Sequence, residues 1–118
     1  MPTTPHTESS MHDGLLAKLP VSEGATTSRV VVNNKVLRQV LFSFDAGQVL
    51  TEHAAPRAVI VQMISGALDF TVGGETRRLV GGDVVYLAPG DRHAVEAVEP
   101  TYMALTLVDL DATKVGAD

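Results

Sequence analysis

The apolar positions of this chain fall into short runs with a period of two, separated by glycine, proline or asparagine. That period belongs to β-strands, whose successive side chains point to opposite faces. Residues 29–32 are rich in β-branched side chains, and Asn33-Asn34 supplies a turn after them. Residues 35–44 alternate, with Val36, Arg38, Val40, Phe42 and Phe44 on one face and Leu37, Gln39 and Leu41 on the other. Residues 58–64 are almost wholly apolar, the pattern of a strand covered on both faces. Leu68, Phe70 and Val72 alternate with Asp69 and Thr71, and Gly73-Gly74 then predicts a tight hairpin into residues 75–80. Gly81-Gly82 opens a strand over 83–88, and a turn at Pro89-Gly90 leads into another over 93–98. Glu99-Pro100 precedes a long last strand over 101–110, with Met103, Leu105 and Leu107 on one side and Tyr102, Ala104 and Val108 on the other.

Eight short strands at even spacing predict an all-β sandwich or barrel. No fixed-period repeat and no second domain fit between them. The segment before them is different in kind. Residues 1–12 are rich in Pro, Thr and Ser and are expected to form a disordered tail. Residues 13–20 suit one short helical turn, with Asp13 as its N-cap and Pro20 as its stop, and residues 21–28 read as a polar connection. The domain is therefore expected to span 13–110, with 111–118 fraying.

Composition narrows the possibilities. A chain of 118 residues makes one domain with one core. The absence of cysteine removes disulfides, thiolate metal sites and cysteine nucleophiles. A net charge of -5 speaks against non-specific nucleic-acid binding, and the adjacent Arg77-Arg78 pair reads as a solvated hairpin face. No apolar run reaches the length of a membrane span, and no signal peptide is read at the N-terminus. A soluble cytoplasmic protein with no nucleic-acid or membrane partner is expected.

The candidate chemistry lies at the two ends of the stretch from Gly47 to His93. Its first end has Gly47, five residues, His53 and, further on, Gly66; its second has Gly82, Gly90 and His93. This spacing resembles the two motifs of the cupin superfamily, G-x5-H-x-H-x3-E-x6-G and G-x5-P-x-G-x2-H. The resemblance covers about residues 36–108 and implies a cupin-type double-stranded β-helix, a jelly-roll barrel, preceded by a short helical or coil segment. The family proline falls on Ala88, with Pro89 beside it. The family's second histidine falls on Ala55 and its glutamate on Val59, so only His53 and His93 remain of four usual metal ligands.

The resemblance implies a pocket near His53, His93, Arg57, Ala55, Val59 and Met63. It would be polar at the imidazoles and more apolar elsewhere than in metal-binding members. Any divalent transition metal would rest on His53 and His93. Two imidazoles hold such an ion weakly unless a third donor, such as Glu52 or Tyr102, steps in. Strand alternation sends Glu52 to the opposite face. His6 and His12, in or beside the tail, are poor ligand candidates.

Three functions stay open: a binding module for a small organic ligand, a metal-dependent oxygenase or isomerase, and a metal-free acid–base isomerase. The last would use His53 or His93 as base and a tyrosine, Tyr86 or Tyr102, as acid. Arg57 would meet a ligand carboxylate or phosphate. The two-sided apolar strands, together with the family habit of pairing through outer sheet faces, predict a homodimer.

Overall fold

The computed structural model of the protein describes residues 4–111, and these form nine strands and one short helix. The strands are β1 (Thr26–Asn33), β2 (Leu37–Phe44), β3 (Val49–Ala54), β4 (Ala58–Ser65) and β5 (Ala67–Val72). They continue as β6 (Glu75–Val80), β7 (Val84–Leu87), β8 (Arg92–Ala97) and β9 (Thr101–Val108), with α1 (Leu15–Lys18) ahead of them all. One sheet has the order β1-β2-β9-β4-β7 and the other β3-β8-β5-β6. Every pairing is antiparallel. Neighbours distant in sequence lie side by side, as in a jelly roll, where the chain passes back and forth between two facing sheets.

Alternation decides what fills the space between the sheets. Phe42 faces Met103 across the β2–β9 ladder, and Val61 faces Leu105 across β4–β9. Phe44, Val59, Val61, Met63, Leu68, Phe70, Leu87, Val95, Ala97 and Met103 make one buried cluster, with Phe42, Leu50, Ala55 and Leu105 packed against it. The hairpin read from Gly73-Gly74 is present, with φ of +59° and +78°, so both glycines take the left-handed conformation that a tight primed turn requires.

Three expectations about the elements change. Residues 21–28 are not all connection, because β1 begins at Thr26; an edge strand tolerates the polar Thr26-Thr27-Ser28. A ninth strand, β3, occupies a stretch whose alternation is broken by an irregularity between Leu50 and His53. The helix is capped by Gly14 rather than Asp13, with no side-chain cap hydrogen bond. Residues 4–12 of the expected tail carry no strand or helix, and the Thr4 N–H donates to the Asn33 carbonyl at 2.9 Å. The expected fraying of 112–118 lies outside the described residues, as do residues 1–3.

Residues 58–64 are covered on one face only. Val59, Val61 and Met63 are buried while Ile60, Gln62 and Ile64 are exposed. On the same outer face, β7 presents Val84 opposite Gln62 and Tyr86 opposite Ile60. Further along this sheet the outward Leu41 and Ser43 are buried nonetheless. The N-terminal segment reaches this region, where the Tyr102 hydroxyl donates to the Leu16 carbonyl at 3.2 Å.

Candidate functional site

His53 and His93 stand directly opposite each other on β3 and β8. Their rings lie 4.2 Å apart, centre to centre, and are tilted by 58°. β8 is an interior strand, hydrogen-bonded to β3 on one side and β5 on the other, so His93 is held on a rigid ladder and is only 6% exposed. His53 lies on the edge strand and is solvent-exposed. The pair thus has one buried and one open member.

The irregularity in β3 shapes this pair. Leu50 is opposite Val95 and His53 is opposite His93, so Thr51 and Glu52 together face the single residue Ala94. This is a β-bulge, two residues against one. It lets Leu50 and His53, three apart in sequence, line the same cavity. Glu52 turns outward and its carboxylate accepts a hydrogen bond from Arg92 Nε at 2.7 Å.

Each imidazole is fixed by a backbone carbonyl two residues before it. His53 Nδ1 lies 2.9 Å from the Thr51 oxygen and His93 Nδ1 lies 3.3 Å from the Asp91 oxygen. A carbonyl only accepts, so Nδ1 carries the hydrogen in each ring, and Nε2 of a neutral ring is then an acceptor. Neither Nε2 has a hydrogen-bond partner among the described residues. No buried side-chain nitrogen or oxygen there lacks a partner, so the unbonded Nε2 of His93 is accessible rather than sealed in packed core, and the residue lines the cavity. Burial holds the His93 imidazole below its ordinary pKa, the carbonyl of Asp91 pulls the other way, and the neighbouring His53 lowers it further.

The cavity over the pair has a volume of about 130 Å³ and is lined by Phe42, Leu50, His53, Val61, Phe70, His93, Val95, Met103 and Leu105. The Phe70 ring is parallel to His93, tilted by only 6° at 5.9 Å. Two polar groups converge in an otherwise apolar wall, the usual make-up of a small-molecule site. A larger groove, about 300 Å³, runs between the edges of β6 and β7 and shares the Phe70 wall. Its charged side chains, Glu75 and Arg77, are bonded to one another. Arg78 is likewise engaged, by Asp69 at 2.6 Å, so the Arg77-Arg78 pair is a hairpin surface with both cations matched.

The other residues expected at the pocket are placed as follows. Val59 and Met63 are buried in the core cluster, and Ala55 packs on it partly covered. None of the three lines the imidazole cavity. Arg57 is half-buried beside Pro56 and Asp109, and also borders a surface hollow with His6 and Asn33. Tyr102 faces outward to Leu16, and Tyr86 is 64% exposed on the outer sheet face. Neither tyrosine joins the imidazoles. The sequence reading missed Leu50, because the bulge hides its inward direction, and it did not single out Val95 and Leu105 as lining.

The donor set does not fit a tightly held transition metal. Two imidazole nitrogens are present where at least three donors are wanted. Glu52 is bonded to Arg92 on the other face, and Tyr102 is bonded to Leu16. Among the described residues no three His, Cys, Asp or Glu side chains come together in a metal-holding group. No described helix is long and apolar enough to cross a membrane.

These features define a cupin barrel, small and of one domain. Residues 40–117 match the AraC-like ligand binding domain family, and the chain belongs to it. No curated protein matches the chain. Among solved structures it is similar to a conserved protein of unknown function from Streptococcus pyogenes, with 28% identity and a TM-score of 0.78 over 92% of this chain and 96% of that one. A cupin superfamily protein from Desulfitobacterium hafniense shares the fold at 18% identity, with a TM-score of 0.77 over 86% of this chain and 93% of that one. A Cupin 2 conserved barrel domain protein from Leptotrichia buccalis is 30% identical with a TM-score of 0.74, over 79% of this chain but 45% of its own.

Proposed function

We propose that this cupin holds a small organic molecule in the cavity between its sheets, anchored by Nε2 of His53 and of His93. The observation that carries this reading is the convergence of two imidazoles, each locked by a carbonyl, in a cavity of about 130 Å³ whose other seven lining residues are apolar. Such a wall removes apolar ligand surface from water, and the two fixed acceptors set its orientation. Ala55, Val59 and Met63 support the wall from behind, and Arg57 serves outside the cavity.

The reading is tested by ligand-observed NMR with a fragment panel on the full chain. Fragments should bind wild type and compete with one another. Binding should vanish in Val61→Phe, which fills the cavity, and weaken in His53→Ala, which alters an exposed residue and leaves the core intact. A panel that binds equally to all three proteins, or to none, refutes it. A metal-dependent enzyme would need a third donor; near-stoichiometric zinc or nickel retained through desalting, and lost in His93→Ala, would favour that function instead.

We also infer that two copies pair through the outer face of the five-stranded sheet. Ile60, Ile64, Val84 and Tyr86 form a neighbouring apolar group there, each at least 40% exposed. Two-fold association covers such a face on both copies at once. Light scattering should give a dimer at micromolar concentration that Tyr86→Lys converts to monomer; a monomeric wild type refutes the pairing.

A further inference from the structure

We propose that the ligand of the His53–His93 cavity is a single-ring hydroxylated aromatic, a molecule of the phenol class, with its ring against Phe42 and Phe70 and its hydroxyl donating to an imidazole Nε2. This rests on the small-molecule reading above and narrows it by size, shape and hydrogen-bond polarity.

Size sets the first limit. A cavity of about 150 Å³ with an apolar lining accommodates benzene, and this one measures about 130 Å³. A space of this order matches a single ring better than two fused rings. Shape sets the second. The chain has only three phenylalanines, and two of them, Phe42 and Phe70, line this cavity together with both imidazoles. Phe70 and His93 are parallel to each other and Phe42 is stacked on Phe44, so the walls are flat and held in place. Flat walls favour a planar guest, which gains from offset or edge-on ring contacts.

Polarity sets the third limit. Both Nδ1 hydrogens are committed to the carbonyls of Thr51 and Asp91, so both Nε2 atoms offer lone pairs. A lone pair selects a donor, and a phenolic O–H is one. A carboxylate would face two lone pairs with no compensating cation, since no Lys or Arg lines the cavity and Arg92 is engaged by Glu52. A sugar is excluded for a different reason. Its many hydroxyls would meet Leu50, Val61, Val95, Met103 and Leu105, where they find no partners and lose their water. A plain hydrocarbon ring fits the walls but leaves both acceptors unused.

The test compares phenol, toluene and benzoate by titration calorimetry on the full chain at pH 7.5, with nitrogen-detected NMR of the histidine rings. Phenol is expected to bind roughly three- to tenfold more tightly than toluene, the scale of one net hydrogen bond. Benzoate is expected to bind more weakly than either. The Nε2 resonance of His53 or His93 should move with phenol and not with toluene. His53→Phe keeps the aromatic wall, removes one acceptor at an exposed position and should reduce the phenol preference; Val61→Phe should abolish binding of all three. Toluene binding as tightly as phenol, or benzoate binding more tightly, overturns the phenol class and leaves the small-molecule reading standing. Binding of none of the three overturns the class as well, and the fragment panel then decides the reading separately.

Discussion

Gly66 joins β4 to β5 and therefore sets how Val61 and Phe70, two walls of the cavity, meet. Its φ is +87°, and a Cβ built on it would lie 2.3 Å from the Pro100 carbonyl oxygen, 2.5 Å from Thr101 Oγ1 and 2.7 Å from Thr101 Cα. Two of these neighbours are backbone atoms at the start of the central strand β9, which have little room to withdraw. Gly47 supplies the control, because its φ is +84° and a Cβ there would meet nothing within 4 Å. Gly47→Ala should therefore cost only the left-handed backbone term, about 1–2 kcal/mol. Gly66→Ala adds overpacking, typically about 1–3 kcal/mol, for a total of roughly 2–5 kcal/mol. Against a domain stability of about 5–15 kcal/mol that is a large loss. Urea denaturation with an unchanged m-value is the assay, since it attributes the midpoint shift to stability. If the two variants lose the same stability to within about 0.5 kcal/mol, the close approach at Thr101 is absent and the reasoning fails.

Thr101 is fully buried; its hydroxyl accepts from the Ala67 N–H at 3.1 Å and gives its one hydrogen to the carbonyl of Glu99 or of Ala67. Thr101→Val keeps the shape and orphans that N–H, for a loss of about 1–3 kcal/mol in urea denaturation, while Thr101→Ser should lose less. Because the folded state holds His93 below the ordinary imidazole value of 6.5, its contribution to stability is fully present above that pH and is lost as the pH falls through the lower folded value. Thermal melts of His93→Gln should show a flatter decline below pH 6.5 than wild type; parallel curves refute the assignment. Deleting Thr51 removes the bulge but keeps His53 opposite His93, so the ring loses its carbonyl partner. Nitrogen-detected NMR should then show His53 redistributed between its two tautomers, and an unchanged Nδ1–H form refutes the role given to the bulge.

Where alternation was regular, the sequence spoke clearly. The two faces of β2 and β9 divide as the periodicity grouped them, because both strands run eight residues with a continuous register. The cupin architecture followed from glycines and histidines whose spacing is tied to turns. Other parts were hidden for identifiable reasons. β3 is missing from the eight strands read along the chain, although alternation was applied to Glu52 and His53, because Thr51, Glu52 and His53 are polar and exposed and the bulge breaks the period that would reveal a full strand. The outer face of β4 looked buried because Ile60 and Ile64 are apolar, and periodicity alone does not separate a core contact from an exposed apolar face. Tyr102 was a candidate metal donor or acid on the long last strand, but its pairing with Ser43, on the face of Leu41, puts it on the outside.

The two histidines share a feature that no spacing rule contains. Each Nδ1 is bonded to the carbonyl of the residue two before it, and in both cases that carbonyl lies outside the regular ladder, at the bulge for Thr51 and in the turn before β8 for Asp91. In an undisturbed antiparallel strand a side chain stands away from its own backbone, so such a bond needs an interruption of the ladder. The bulge is therefore not required to turn His53 inward, which simple parity would do with one residue fewer. What it adds is a fixed ring. A free imidazole could offer a ligand either a donor or an acceptor; this pair offers two acceptors, and the positions that would complete a metal shell in the cupin motif carry the methyl groups of Ala55 and Val59. A site whose remaining polar atoms are oriented while its ionic ones are absent is suited to discriminate by hydrogen-bond direction and by fit. That combination favours recognition of a neutral molecule over metal-assisted chemistry, and it explains why the aromatic walls, rather than charge, surround the pair.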